Sequence, residues 1–151
     1  MNINRRQALA LSAGAAVFAI TGVSTKLAYA AAEDTEKAIM DLAGGKAPQS
    51  GKITLTSPEI AENGNTVPVS VKVDSKMMEG DMVKSITIFA EGNPNPDVVT
   101  FHFSAMSGAA TASTRMRLAK TQKVVAVAKM ADGSTYMDKK EVKVTIGGCG
   151  G

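Results

Sequence analysis

One sulfur atom carries most of the chemistry open to this 151-residue chain: Cys149, its only cysteine, in the C-terminal run Gly147-Gly148-Cys149-Gly150-Gly151. A thiol is at once a nucleophile, a redox group and a point of covalent attachment, and its thiolate is the reactive form. The four flanking glycines, Gly147, Gly148, Gly150 and Gly151, offer no side chain to pack and lose the most backbone freedom on ordering. The expectation is a flexible, solvent-exposed arm, with Ile146 to Cys149 reaching roughly 10 Å at ~3.3–3.6 Å per residue. Such an arm suits a narrow channel in another protein, because no side chain obstructs its entry. No basic residue lies within five positions of Cys149, Lys143 being the nearest, and the terminal carboxylate two residues on disfavours the thiolate. Activation is therefore expected from partner proteins, which describes a covalent substrate carrier and not an enzyme. Two other readings stay open: an intermolecular disulfide tether in an oxidising compartment, and an unpaired thiol without a role, which is an oxidation liability.

The remaining chemically capable side chains are few. His102, the single histidine, alternates with Phe101 and Phe103 and reads as a residue on the outer face of a strand. Met77, Met78 and Met82 form a loose group, but copper handling needs clustered sulfur and imidazole donors, so core filling or an oily loop is the expectation. Arg115 and Arg117 share one strand face and read as solvated. With one His and one Cys, no Ser-His-Asp set or zinc site can be assembled. The expected catalytic residues, metal ligands and cofactors are accordingly none.

Residues 1–30 read as an address. Asn4-Arg5-Arg6-Gln7-Ala8-Leu9 leads into an apolar stretch that ends at Ala28-Tyr29-Ala30, the order of a cleavable secretory signal of twin-arginine type. Ala8 stands where a bulky apolar residue is usual in that signal. Cleavage is expected after about Ala30, leaving no membrane segment in the mature protein. The leader holds three of the 17 basic residues and none of the 14 acidic ones, so 14 of each remain. A formally neutral body lacks the positive surplus that drives nucleic-acid binding.

The elements that must position Cys149 can be read from periodicity. Glu33, Asp34 and Glu36 open a short amphipathic helix with Ala38, Ile39 and Leu42 on one face, and Gly44-Gly45 ends it. A Pro/Gly/Ser linker from Lys46 to Gly51 sets this helix apart from the rest of the chain. From Lys52 onward the period is two: Ile53 and Leu55; Val67 to Val73; Ile86 and Ile88; Val99, Phe101 and Phe103; Met116 and Leu118; Val125 and Val127; Val142, Val144 and Ile146. Turn formers separate these runs at Glu62-Asn63-Gly64-Asn65, Glu79-Gly80-Asp81, Gly92-Asn93-Pro94-Asn95-Pro96 and Ala131-Asp132-Gly133. About seven short strands predict an all-β fold, an immunoglobulin-like antiparallel β-sandwich preceded by the short helix. The expected organisation is signal peptide 1–30, helix and linker 31–51, sandwich 52–146 and carrier arm 147–151.

Several stretches in this order resemble the SoxY family of sulfur carriers. They are the twin-arginine leader, Asn95-Pro96 before Val98-Val99-Thr100-Phe101, the run Thr114 to Gln122, Val124 to Ala128, Asp132-Gly133 and the terminal Gly-Gly-Cys-Gly-Gly. The resemblance implies a periplasmic protein paired as a heterodimer with a second small sandwich, SoxZ, and carrying sulfur intermediates on Cys149. It further implies three partner enzymes. A haem enzyme, SoxAX, oxidatively joins thiosulfate to Cys149; a dimanganese hydrolase, SoxB, releases sulfate; and a sulfane dehydrogenase, SoxCD, where present, oxidises the remaining sulfur. A tethered intermediate meets each enzyme at raised effective concentration.

Overall fold

The structure is a computed structural model that describes residues 24–148, with side chains inside the helix from residue 32 onward. The twin-arginine segment and apolar stretch up to residue 23, and Cys149, Gly150 and Gly151, lie outside the described residues. The chain divides into two compact units, Met1–Ala30 and Ala31–Gly151.

Helix α1 runs over Ser24–Leu42. It starts earlier than the acidic residues suggested, because the alanines at 30–32 are strong helix formers and propagate it. Glu33, Asp34 and Glu36 therefore fall inside the helix, not in its first turn. Its end is as expected. Gly44 and Gly45 take φ of 68° and 81°, and the Gly45 N–H donates to Met40 O at 2.8 Å, closing a glycine cap.

Eight strands come after the helix: β1 (Ile53–Thr56), β2 (Ile60–Asn63), β3 (Val67–Val73), β4 (Val83–Ala90), β5 (Asp97–His102), β6 (Thr111–Met116), β7 (Gln122–Met130) and β8 (Thr135–Ile146). They form a three-stranded sheet, β1-β3-β6, and a five-stranded sheet, β2-β8-β7-β4-β5. The sandwich expected from period two is present. The unexpected strand is β2, whose four residues read in part as turn; it pairs with β8 in parallel, Ile60 opposite Lys143 and Asn63 opposite Ile146. Its burial pattern carries one buried residue, Ala61, too little periodicity to read locally.

The inter-sheet core is built from alternate residues of both sheets. Leu55, Val67, Val69, Val71, Ile86, Ile88, Val124, Ala126, Ala128 and Val142 are all buried within it. The other face of the five-stranded sheet is also covered. Phe89, Val125 and Val127 point to that side and pack with Ile39, Ala38 and Leu42 of α1. This corrects the expectation of a helix set apart by its linker. The linker itself is tied to β8, since Gln49 N donates to Thr135 O and Met137 N to Gln49 O, both at 2.9 Å. Cover on both faces explains why β4 and β7 are buried along nearly their whole length.

The methionine group belongs to a turn. Met77 is buried with φ of 54°, Met78 is exposed, and Met82 packs partly against the core. Asp81 organises this turn by accepting from Lys76 N–H at 2.9 Å and from Lys52 Nζ at 3.0 Å. The Lys76 backbone N–H first, and then the Lys52 ammonium, hold the Asp81 carboxyl below the ordinary carboxylate range. A depressed folded-state value means that Asp81 contributes stability above the unfolded aspartate pKa of about 3.9, and that this is lost as pH falls through the lowered value. Asp81→Asn is accordingly expected to flatten the acid limb of the stability–pH curve by lowering stability slightly in the neutral region while leaving the acid end nearly unchanged. Denaturant midpoints measured from pH 2 to 7 check this.

Candidate functional site

The site is the end of β8 and the segments that receive it. Strand β8 spans 12 residues; β7 pairs with it as far as Val142, and β2 pairs with its C-terminal end from Lys143 to Ile146. Thr145 Oγ1 donates to Glu62 O at 2.9 Å, and Val144 N–H donates to Thr121 Oγ1 at 2.9 Å. Ile146 is 69% exposed, so side-chain packing ends there.

The backbone does not become free at that point. Gly64 N–H donates to Ile146 O at 2.8 Å, Leu118 N–H to Gly64 O at 2.8 Å, and Gly148 N–H to Leu118 O at 2.9 Å. Three segments distant in sequence thus close around the root of the tail, and Gly148 is buried. The fit leaves no room for a side chain. A Cβ on Gly148 would stand 2.8 Å from Gly64 O, one on Gly147 2.2 Å from Ala119 O, and one on Gly64 2.3 Å from Leu118 O and 2.6 Å from Gly148 N. The expectation that Gly147 and Gly148 belong to a free arm is corrected: both are seated on the body. The physical reason is close backbone approach, which only glycine permits. Fixing each glycine backbone costs about 1–2 kcal/mol, and each backbone hydrogen bond returns about 0.5–1.5 kcal/mol, so the seat lies near balance and depends on that closeness.

The receiving segment, residues 117–122, is itself held by a buried amide pair. Asn93 is 3% exposed and Gln122 7%. Asn93 Nδ2 donates to Arg117 O at 2.8 Å, and its Oδ1 accepts from Ala119 N–H at 3.0 Å and from Gln122 Nε2 at 2.8 Å. Gln122 Oε1 in turn accepts from Gly92 N–H at 2.7 Å. A buried amide with each of these groups paired fixes a loop that has no regular structure of its own. In the sequence Gly64 and Asn93 read only as turn residues, and both of these roles escape that reading. Nothing local marks them, because their partners lie far along the chain.

The other candidates are dispersed. His102 is exposed on the edge strand β5, opposite Ser85, while Phe101 and Phe103 pack against the core. Arg115 and Arg117 are exposed. Among the described residues no group of three His, Cys, Asp or Glu side chains could hold a metal ion, and no helix is long and apolar enough to cross a membrane. In the sequence Cys149 follows Gly148 directly.

Comparison with known proteins bears on that tail directly. The family model described as sulfur oxidation protein SoxY matches residues 39–149 and so includes Cys149. Among solved structures, the sulfur carrier protein SoxY from Chlorobium limicola f thiosulfatophilum is 34% identical, with a TM-score of 0.63 over 76% of this chain and 94% of that one. The superoxide reductase (neelaredoxin) from Ignicoccus hospitalis is 19% identical, with a TM-score of 0.55 over 62% of this chain and 80% of that one. That second likeness shows the fold alone. No curated protein matches the chain.

Proposed function

The chain belongs to the SoxY family, and from that premise we propose that it is a sulfur carrier which holds thiosulfate-derived intermediates on Cys149 and presents them to other enzymes. The observation that carries this reading is the position of the only cysteine. It comes directly after a backbone seated against the body, in which no group of three His, Cys, Asp or Glu among the described residues could hold a metal ion. A carrier needs little more than a tethered thiol and a rigid mount.

Loading forms a sulfur–sulfur bond between the Cys149 thiolate and the outer sulfur of thiosulfate, and two electrons leave to an external acceptor, the role proposed for the SoxAX haem enzyme. Hydrolysis then cleaves the bond between that sulfur and the sulfonate group, with water supplying the fourth oxygen of sulfate and a persulfide remaining on Cys149. The hydrolase is the proposed SoxB-type partner, and a SoxCD-type dehydrogenase would oxidise the persulfide where one is present. None of these steps uses an acid or base from the carrier, which is why the protein is proposed to be no enzyme and to need no cofactor. Export to the periplasm, cleavage after about Ala30, a heterodimer with a SoxZ-like sandwich and mobility of Cys149, Gly150 and Gly151 complete the proposal.

Protein isolated from cells oxidising thiosulfate is expected to carry thiosulfonate or sulfane mass on Cys149 by intact-mass and peptide mass spectrometry. Its N-terminus should begin near residue 31. A population containing only free thiol and ordinary disulfide-linked dimers would rule out the carrier in favour of a tether.

A further inference from the structure

The seat beneath Cys149 assigns a function to a residue far from it in sequence. We propose that Gly64 is the positioning residue of the sulfur-bearing arm: it holds Gly148 on the body, so that the thiol departs from a fixed point one residue away and not from Ile146. The inference rests on the carrier reading for its purpose, while its geometry stands apart from that reading.

The grounds are steric and directional. Gly64 uses both of its backbone groups at this point, its N–H to Ile146 O and its carbonyl to Leu118 N–H, while Leu118 O receives Gly148 N–H. The Cβ of any other residue at 64 would meet Leu118 O at 2.3 Å and Gly148 N at 2.6 Å, both backbone atoms that no rotamer change can move. The receiving loop cannot retreat cheaply, because Asn93 bonds it at Arg117 and Ala119. Added bulk at 64 therefore displaces the mobile partner, Gly148. With the root seated, the backbone free to move before the sulfur is one residue, roughly 3.5 Å. With the root released it is three residues, roughly 10 Å. A seated root shortens the reach of the arm, which limits the space that a partner's reaction chamber must search.

The test uses full-length mature protein uniformly labelled with 15N. In the unmodified protein the Gly148 amide is expected to show the hydrogen-exchange protection and order of the β8 amides. Gly64→Ala is expected to abolish that protection while the amides of β4 and β7 keep theirs. Gly133→Ala, in the hairpin turn at the opposite end of β8 where φ is 87°, strains the backbone without touching the seat and is expected to leave Gly148 protected. Two rates of reaction at Cys149 then separate positioning from general destabilisation. Alkylation by iodoacetamide should stay equal or rise in Gly64→Ala, whereas thiosulfate loading by the haem enzyme should fall; Gly133→Ala, which strains the fold without touching the seat, should keep its loading rate. Should Gly64→Ala fail to fold, Gly148→Ala introduces the same clash from the other side. An unprotected Gly148 in the unmodified protein overturns the seat, and so does a Gly148 that stays protected in the folded variant. Absence of any sulfur adduct on Cys149 beside a protected Gly148 instead sinks the carrier reading and leaves the seat standing.

Discussion

Cys149→Ser abolishes thiosulfate-dependent oxidation by the assembled system and leaves thermal unfolding of the carrier unchanged: this is the largest functional effect expected of any single substitution in the chain. The proposed cycle begins by making a sulfur–sulfur bond, and a serine hydroxyl cannot replace the thiolate as a redox partner or as the anchor of a persulfide. The same change removes no packing that the structure describes. The two hydrophobic clusters are formed by residues from Ala38 to Val144, and the seated backbone ends at Gly148. Oxygen uptake or sulfate production, reconstituted from purified components, reports the first half of the expectation, and a melting curve reports the second. Substantial turnover by the serine variant would move the attachment point away from Cys149 and end the carrier account.

The largest effect on stability is expected from Phe89→Ala. Phe89 is 1% exposed and is the largest fully buried side chain. It lies on the face of β4 that turns away from the other sheet, against Val125, Val127 and Ile39 of α1. Truncating a buried Phe costs about 3–5 kcal/mol through lost transfer energy and the cavity left behind. That is a large share of a typical domain's roughly 5–15 kcal/mol and corresponds to a fall in Tm of roughly 10–20 °C. Helix α1 should loosen as well, since its contact with the sheet is made through this cluster. Urea unfolding followed by circular dichroism measures the loss. A destabilisation below about 1 kcal/mol would show that the helix does not cover this face in solution. Sulfur loading per folded molecule should survive the change, because Phe89 belongs to the outer cluster and the arm's seat is built from residues 64, 117–122 and 146–148.

Cys149 and Phe89 differ in how far they could be understood before the fold was known. The chemistry proposed for Cys149 rests on the sequence: a chain with a single thiol, placed among four glycines, has few uses for it. The sandwich was legible too, because a strand with one buried face writes its orientation into alternate residues. Ile53 and Leu55 of β1, and Val67 to Val73 of β3, alternate as read and are buried as read. Where both faces are buried the alternation disappears. The period-two reading of β7 therefore singled out Val125 and Val127, the side that meets the helix, while Val124, Ala126 and Ala128 fill the inter-sheet core.

The turns and the strands with one-sided burial could thus be read from the chain, because each depends on residues that are neighbours along it. Three other features exist only once the chain has folded: β2 joins β8 in parallel, α1 roofs the outer face of the five-stranded sheet, and Gly147 and Gly148 are seated rather than loose. The third has the simplest cause. Glycine next to glycine reads as freedom when only the chain is considered. Opposite the backbone of Gly64, Leu118 and Ala119 the missing side chains become the condition for contact, and the distance between those atoms is set by the whole sandwich.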